Sequence, residues 1–324
     1  MEEEILEENP VAYKNKFHLA GIVPIGVQPL DYNMPWHESL MPLAPNYLAF
    51  ERSVYECAMA GCETIWVVSH RETTPLLRHR LGDWIHDPVI NPSMRRKYNK
   101  YFTNEFKQIP IYYVPIHPKD RDVRDGLVWS IFYGVRKAYH ISHYFSKWVT
   151  PNKYYVSFPY SVYSTSVVKE NRLKISTKES YFLQTPDGKT IKDGALVGFS
   201  MDSREYVSYL KNFREHEKIL WKNGEWKNGR FIGEKLPTGE RYTGRFIKPE
   251  QVFHSAPVTT DNALQLKWYN DIGSWDGYCK FLGSKNRHLV KRPKFGFDYH
   301  EFNPIGVDNE LEVGGDVLDE EKDP

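Results

Sequence analysis

The chain has 324 residues, and its 43 Lys and Arg residues against 42 Asp and Glu residues leave a formal net charge of +1. This length allows two domains, or one large α/β domain with insertions. The charge balance argues against a nucleic-acid binder driven by overall charge, although it leaves room for a local basic groove. Aromatic residues make up 15% of the chain, so large amphipathic side chains are expected in cores, clefts or interfaces.

Three further features bear on where the protein works. No run approaches the roughly 18 apolar residues of a membrane span, and the acidic start MEEEILEENP lacks the basic and apolar regions of a secretory signal. Cys57, Cys62 and Cys279 are too few for a disulfide framework, and we expect them to be buried free thiols. These features favour a cytoplasmic protein without a membrane partner.

The first half of the chain alternates apolar runs with helical patterns. The apolar run 18–25 predicts a buried strand, 47–61 predicts a helix, and 64–69 predicts a second strand. Strand, helix and strand in this order form a βαβ unit of a parallel sheet. The region between 75 and 108 is basic and aromatic and is expected to be helical in part.

The alternation continues with strands predicted at 109–116 and 153–158 and a helix at 126–140. The predicted fold class is therefore α/β, with a Rossmann-like open sheet. Ligands of such sheets bind beyond the carboxyl ends of the strands. The loops expected at this edge follow Ile25, Ser69, Ile116 and Phe158.

The second half of the chain is predicted to be richer in β-structure. Residues 170–193 are predicted as short strands around a turn at 186–188, and 194–199 as an apolar strand. An amphipathic helix is predicted over 203–220, with Ser203 as its N-cap. The fold class thus includes a β-rich C-terminal part.

Residues 221–246 form a separate aromatic and basic piece. Its Asn-Gly dipeptides at 223 and 228 are strong hairpin signals, and Thr-Gly dipeptides add further turns, so we predict a β-meander or a pair of hairpins. The piece is either a solvated insertion or a surface for a protein partner or for self-association. The predicted organisation is a flexible acidic leader (1–16), an α/β domain (17–220), the hairpin insertion (221–246), a return to the α/β domain (247–293) and a C-terminal extension with an acidic tail (294–324).

Several familiar motifs of catalysis are missing from the sequence. It has no G-x-S-x-G elbow, no Walker A loop and no Cys/His zinc spacing. His140 and His143 share one face of a predicted helix, but no carboxylate motif accompanies them. The basic aromatic stretch 94–101 fits a solvated helical face better than a nucleic-acid surface.

Five short passages, in order along residues 18–284, carry a resemblance to a known family. They are LMPL at 40–43, AGCETIWVV at 60–68, DGL at 125–127, GALVGF at 194–199 and NDIGSW at 270–275. Their order resembles that of the sugar-phosphate nucleotidyltransferases (the NDP-sugar pyrophosphorylases), interrupted by the hairpin insertion.

The resemblance implies a Rossmann-like fold and a reaction. A sugar 1-phosphate attacks the α-phosphate of a nucleoside triphosphate and expels pyrophosphate, with catalysis by positioning and charge neutralisation. It implies that Gly26 in the first loop and Gly126 with Leu127 hold the nucleotide. It also implies that Asp271 binds Mg²⁺. The ligand so implied is a nucleotide or a nucleotide sugar.

The chain departs from the family pattern at several positions. The first loop keeps Gly26 but lacks the second Gly and the Arg, and Glu38 stands about where a Lys is expected. A carboxylate there would repel a triphosphate. Tyr160 stands at the position of one metal-binding Asp, and the sugar-binding E-K-P element is missing between Lys189 and Gly194.

Substitutes for the missing groups are available in the sequence. Asp31 or Asp202 could supply a second carboxylate. The cation could come from Arg71, Arg121 or Arg124. The alternative is structural: the aspartates, Asp271 included, form turns and helix starts, and the arginines are solvated.

Two hypotheses follow. The first is an enzyme that transfers a nucleotidyl group to a sugar phosphate, or a related nucleotide-sugar binder. The second is a catalytically degenerate member of the fold that serves as a structural or protein-interaction module. The chain is also similar to nucleotidyltransferase-like proteins of large tailed phages, which implies a location in the host cytoplasm or the virion. A nucleic-acid partner is not expected.

Overall fold

The computed structural model describes most of the chain. Four features named above lie outside the described residues: the acidic leader, the basic stretch 94–101, Asp31 and the acidic tail. The described residues are 18–26, 37–90, 107–147, 150–177, 179–294 and 296–297.

The described residues form strands and helices of very different lengths. Short 3₁₀ turns lie at Glu38–Leu40, Ile191–Asp193, Thr243–Arg245 and Lys285–Leu289. In chain order the other elements are β1 (Leu19–Pro24), β2 (Pro42–Ala44), β3 (Tyr47–Leu48), α1 (Ala49–Ala60), β4 (Thr64–Ser69), α2 (Thr74–Leu81), β5 (Trp84–His86), β6 (Gln108–Pro115), α3 (Leu127–Phe145), β7 (Lys153–Val156), β8 (Ser161–Val162), α4 (Ser166–Glu170), α5 (Arg172–Ile175), β9 (Phe182–Gln184), β10 (Phe199–Asp202), α6 (Ser203–His216), β11 (Trp221–Lys227), β12 (Arg230–Lys235), α7 (Thr238–Arg241), α8 (Pro249–Phe253), β13 (Ala263–Gln265), β14 (Asn270–Asp271) and α9 (Trp275–Gly283).

One eight-stranded sheet organises these elements, in the order β13-β9-β10-β7-β1-β4-β6-β5. Strands β7, β1, β4 and β6 run parallel to one another, whereas β10 runs antiparallel to β7 and β5 antiparallel to β6. The chain moves outward from β1 to β4 and β6, then returns through α3 to β7 on the other side of β1. The predicted fold class, an open Rossmann-like α/β sheet, is confirmed.

Both faces of the sheet are covered, because its central strands are apolar on both sides. Along β1, Leu19 and Val23 join the core that contains α1, while Ala20 and Ile22 join the core that contains α3. Side chains alternate between the two faces of a strand, so a strand buried on both faces is a continuous apolar run. This is why 18–25 could be recognised as a central strand.

Helix α1 lies so close to β1 that a glycine is needed between them. A Cβ atom on Gly21 would lie 2.8 Å from the Cβ of Cys57 and 3.1 Å from the Sγ of Cys62. These two thiols are buried and free, as predicted. The prediction was wrong for Cys279, which is exposed because α9 turns that position toward solvent.

A buried polar network fixes α1 beneath the sheet. Arg52 pairs with Glu56 at 3.0 Å. The hydroxyls of Tyr155 and Tyr163 both donate to Glu56 Oε1, at 2.6 and 2.7 Å. Burial raises the pKa of both tyrosines well above the usual value. The network therefore supplies hydrogen bonds to a charge that would otherwise be costly to bury.

The elements of the first half agree closely with the predictions. Strands were predicted at 18–25, 64–69, 109–116 and 153–158, and β1, β4, β6 and β7 occupy these positions. The predicted helices at 47–61 and 126–140 correspond to α1 and α3, with Tyr47–Leu48 forming β3 instead of a first helical turn.

Three predictions in the second half need correction. Residues 170–193 contain two short helical segments and one strand, β9, although the turn at 186–188 is present. The strand predicted at 194–199 begins only at Phe199 and runs into polar sequence, because its ladder follows β7. The N-cap of α6 is Asp202, whose carboxylate accepts hydrogen bonds from two backbone N–H groups, and the helix ends at His216.

The piece at 221–246 is one hairpin followed by helical turns. Strands β11 and β12 pair antiparallel around Asn228, which has a positive φ of 51°. Residues 238–245 form α7 and a 3₁₀ turn, so the second predicted hairpin is wrong. No helix in the part of the chain that the structure covers is both long and apolar enough to span a bilayer.

Candidate functional site

The carboxyl ends of the parallel strands meet at one edge of the sheet. Crossovers leave β1 toward α1 on one face and reach β7 through α3 on the other face. The direction in which successive strands are added to the sheet thus reverses between β1 and β7, although the two strands are parallel. In open α/β sheets, a ligand crevice lies at such a reversal, outside the carboxyl ends of the strands.

Two of the predicted nucleotide-binding residues are in direct contact at this edge. A Cβ atom on Gly26 would lie 2.8 Å from the carbonyl oxygen of Gly126 and 2.4 Å from Ser130 Oγ. A Cβ atom on Gly126 would lie 2.3 Å from the carbonyl oxygen of Arg245. The two glycines therefore let three backbone segments meet where α3 begins.

Leu127 is the third predicted nucleotide-binding residue. It is the first residue of α3 and is only 5% exposed, packed in the core on the α3 face of the sheet. Gly26, Gly126 and Leu127 are therefore brought together. Their contacts within the described chain are with protein, and their role toward a nucleotide stays a prediction.

Tyr160, which stands where a metal-binding Asp was expected, is a buried structural residue. Its hydroxyl donates to the carbonyl oxygen of Gly26 at 3.0 Å. Its own carbonyl accepts the N–H of Ile272 at 2.9 Å. Tyr160 thus connects the end of β1 to the β8–β14 pair, in which Asp271 lies opposite Ser161.

Asp271, the predicted Mg²⁺ ligand, is exposed at the end of β14. Its Oδ1 accepts the N–H of Gly273 at 2.7 Å, the geometry of an Asx turn. Desolvation raises the pKa of this carboxyl, and the Gly273 hydrogen bond opposes the rise. Across the described residues, no cluster of three or more His, Cys, Asp or Glu side chains is arranged to hold a metal ion.

The proposed substitutes are mostly engaged elsewhere. Asp202 caps α6 through the N–H groups of the two residues that follow Ser203. Arg121 pairs with Glu72 at 2.5 Å. Arg124 pairs with Asp120 at 2.9 Å, while Arg71 is exposed. Arg121, Arg124 and Asp202 therefore already serve contacts within the described chain.

A second group of residues at the same edge was not identified from the sequence. His70 follows β4, Asp125 precedes α3, and Arg245 ends the last 3₁₀ turn of the 238–245 segment. Arg245 Nε lies 3.2 Å from Asp125 Oδ1, and His70 Nε2 lies 3.9 Å from Asp125 Oδ2. We call these three residues the crevice cluster.

The crevice cluster is buried but incompletely hydrogen-bonded. Asp125 is 1% exposed, while the side chains of His70 and Arg245 keep 14% and 22% of their surface. His70 Nε2, Asp125 Oδ1 and Arg245 Nε make no hydrogen bond of good geometry among the described residues, although Arg245 Nε and Asp125 Oδ1 face each other as an ion pair at 3.2 Å. An incompletely hydrogen-bonded polar group costs about 1–3 kcal/mol when it is buried, so these poorly matched atoms favour a bound polar group.

His37 lies beside this cluster and is held neutral. Burial, with a smaller contribution from the nearby His70, lowers its pKa to about 4. Its Nδ1 accepts the N–H of Ser39 at 3.2 Å, so His37 caps the first 3₁₀ turn. Burial also lowers the pKa of His70, an effect that Asp125 opposes.

The other histidine pair lies well away from this edge. His140 and His143 are on the C-terminal half of α3, and both are exposed. The ring of His143 stacks on Tyr139, with centroids 5.7 Å apart. They form no metal site in the described chain.

The comparisons with known proteins find similarity in backbone structure alone. No protein-family model matches the chain, and no curated protein matches it. Among solved structures, it is similar to a Bacillus anthracis protein described as a glucose-1-phosphate thymidylyltransferase and crystallised with sucrose, at 8% identity and a TM-score of 0.42, covering 85% of this chain and 98% of that one. It is also similar to a protein from Mycobacterium tuberculosis H37Rv, at 11% identity and a TM-score of 0.41, covering 83% of this chain and all of that one.

Proposed function

We propose that the chain binds a nucleotide or a nucleotide sugar in the crevice at the carboxyl ends of β1, β4, β6 and β7. The observation that carries the proposal is the crevice cluster, whose polar atoms are incompletely hydrogen-bonded at the edge where the order of strand addition reverses. A nucleobase or a sugar presents both donors and acceptors on one edge. Asp125 can accept from such an edge and Arg245 can donate to it.

The same arrangement favours binding over catalysis. Nucleotidyl transfer depends on cations and Mg²⁺ placed against the phosphates. Here Tyr160 replaces one carboxylate, and two of the three arginines considered are ion-paired. Asp271 uses only Oδ1 within the described chain, so its other oxygen could join phosphate oxygens around Mg²⁺.

Isothermal titration of the full chain against UTP, dTTP, CTP, ATP, GTP and their sugar derivatives tests the proposal, with and without Mg²⁺. We expect micromolar binding of one nucleotide class. Substituting His70→Asn should weaken it at least about tenfold, the value of a lost hydrogen bond to a charged or buried partner. The matched control, His254→Asn on the exposed end of α8, should bind normally.

Two results would contradict the proposal. One is the absence of binding at millimolar nucleotide by protein that melts cooperatively. The other is equal weakening by both histidine variants. An Asp271→Ala variant tests the metal separately: loss of the Mg²⁺ dependence with binding retained would assign Asp271 to the ion.

The second candidate is a structural or protein-interaction module, and the hairpin favours it. Ile232 on β12 is 58% exposed, and Ile219 and Leu220 before β11 are 53% and 43% exposed. Sedimentation of the full chain over a wide concentration range tests self-association. We expect any dimer to be lost in Ile232→Ser, with Leu173→Ser, an exposed residue of α5, as the control.

A further inference from the structure

A continuous strip of depressions surrounds the C-terminal half of α3. One depression, of about 680 Å³, lies between α3 and the loop after β6, and another, of about 460 Å³, lies between α3 and α6. A third, of about 360 Å³, lies at the start of β7 and α6. The first two share Arg136 and His140, and the last two share Tyr139 and Ser203.

The strip is positively charged. Its lining has six Arg and Lys residues, none of them in an ion pair with a carboxylate of the described chain: Arg136, Lys137, Lys147, Lys153, Arg204 and Arg214. Lys153 is buried and donates to backbone carbonyls, so the other five are the cations available to a ligand. The lining has two carboxylates, Asp120, which pairs with Arg124, and Asp202, which caps α6. The strip therefore carries an excess of positive charge.

Exposed aromatic rings lie among these cations. Tyr144 is 88% exposed and Phe145 is 76% exposed at the end of α3. Tyr139 is 41% exposed, and its ring stacks nearly parallel to that of His143, with an angle of 5° between the ring planes. Rings exposed in this way gain no stabilisation from burial, and their faces are available to stack on a flat partner.

We propose that this strip binds single-stranded nucleic acid. The phosphates would follow the unpaired cations, and the bases would stack on Tyr139, Tyr144 and Phe145, which is how sequence-tolerant single-strand binders work. Three linked depressions fit an extended polyanion better than one mononucleotide. A run of acidic residues carries no flat groups that could stack on the exposed rings, whereas the bases of a nucleic acid can do so. A net charge of +1 for the whole chain is compatible with such a local basic surface.

The strip extends away from the crevice proposed for nucleotides and approaches it at the loop after β6, where His117 and Asp120 line the first depression. Helix α3 has 19 residues, so its two ends are about 28 Å apart. The crevice cluster lies at its N-terminal end and the exposed rings at its C-terminal end. Either ligand could therefore bind without the other.

Fluorescence polarisation of a labelled oligothymidylate and a labelled oligouridylate of about 12 nucleotides tests the proposal, because single-strand sites span about 4–16 nucleotides. We expect the full chain to bind both, with affinity that falls as salt rises. The pair Arg136→Glu and Arg214→Glu should reduce affinity at least about tenfold through lost phosphate contacts. The control pair Lys174→Glu and Lys192→Glu makes the same charge change on other surfaces and should have little effect.

A second variant separates stacking from charge. Tyr144→Ala with Phe145→Ala leaves every cation in place, and both side chains are too exposed to be needed for folding. We expect it to weaken binding about fivefold or more, as lost base stacking does. Three results would overturn the proposal: no binding at low salt, the same affinity in the aromatic variant and the parent, or stronger binding of polyglutamate than of the oligonucleotides.

Discussion

The two ends of helix α3 are built in opposite ways. At its start, Leu127 to Val135 are all buried, and Gly126 before them touches the backbone of two other segments. At its end, Tyr139, Tyr144 and Phe145 are exposed among cations that have no acidic partner in the described chain. One helix therefore joins a tightly packed crevice to an open basic surface.

The difference shows how the same helix carries two kinds of unsatisfied group. In the crevice they are a few incompletely hydrogen-bonded atoms of the His70, Asp125 and Arg245 side chains, which suit a small ligand with specific hydrogen bonds. On the open surface they are whole charges and rings in water, which suit a flexible polyanion. Substitutions should therefore destabilise the protein at the first end and leave stability unchanged at the second.

The largest effect is expected at Asp125. Changing Asp125→Asn leaves the partly buried guanidinium of Arg245 without its nearest carboxylate. Breaking a buried pair by removing one partner costs about 3–5 kcal/mol. The exposure of Arg245 and its second carboxylate, Asp122 at 3.3 Å, place this case at the lower limit of about 3 kcal/mol. Urea unfolding measures it, and Asp83→Asn, which breaks an exposed pair with Arg78, should cost under about 1 kcal/mol. Equal losses for the two variants would contradict the account.

Acid should destabilise the crevice through His37. Its folded-state pKa is about 4, below the unfolded value of 6.5, so the unfolded chain binds the extra proton between these pH values. The free energy of unfolding is therefore unaffected by His37 above pH 6.5 and falls by about 2–3 kcal/mol as the pH drops toward 4. The variant His37→Asn keeps an N-cap acceptor and removes the proton site. Melting temperatures against pH should flatten in this variant, and an unchanged slope would argue against a buried neutral His37.

Adding a methyl group at Gly126 should lower the free energy of unfolding somewhat less than the changes at Asp125 and His37. Changing Gly126→Ala places a Cβ atom 2.3 Å from a backbone oxygen, and overpacking of this kind costs about 1–3 kcal/mol. Gly283→Ala, in α9 with nothing within 4 Å, is the matched control and should be neutral or stabilising by up to about 1 kcal/mol. Denaturant midpoints compare the two. A neutral Gly126→Ala would mean that the three segments do not meet as described.

The smallest effect is expected at the open end. Replacing Tyr144 and Phe145 by alanine removes side chains that are mostly in water, so the free energy of unfolding should stay within about 0.5 kcal/mol of the parent. Thermal melting at matched concentration measures it. A loss above 2 kcal/mol would show that these rings are covered in the folded protein.

The sequence predicted the sheet well because its central strands are buried on both faces. The run at 64–69 is a strand with those bounds, and 18–25 lies in the middle of the sheet. A strand that is apolar on both faces would expose apolar side chains at a surface position, so such a run is assigned to the middle of a sheet. Gly26 and Gly126 were named by the family resemblance, and the structure brings them together where α3 begins.

The second half was harder because its strands are short and polar. Strand β10 ends in Ser200, Met201 and Asp202, and its pairing with β7 is what makes it a strand. The cap of α6 was available in the sequence: Asp202 with Glu205 three residues later is a capping box, and it is a stronger signal than Ser203.

The crevice cluster could not be identified from one sequence. His70, Asp125 and Arg245 lie far apart along the chain, and although Asp125 stands in the DGL passage at 125–127, no motif links it to His70 or Arg245. Only the crossover through α3 and the segment after the hairpin bring them together. The basic surface was hidden for a similar reason, since its cations come from α3, α6 and the loop between α3 and β7.

Hydrogen exchange of the full chain, with each ligand in turn, tests the contrast between the two ends of α3 most directly. A saturating nucleotide should slow exchange in peptides covering 125–131 and 157–163 and leave 136–147 and 203–214 unchanged. An oligothymidylate should do the reverse. Protection of the same end by both ligands, or no protection at 125–131 by any nucleotide, would contradict the account.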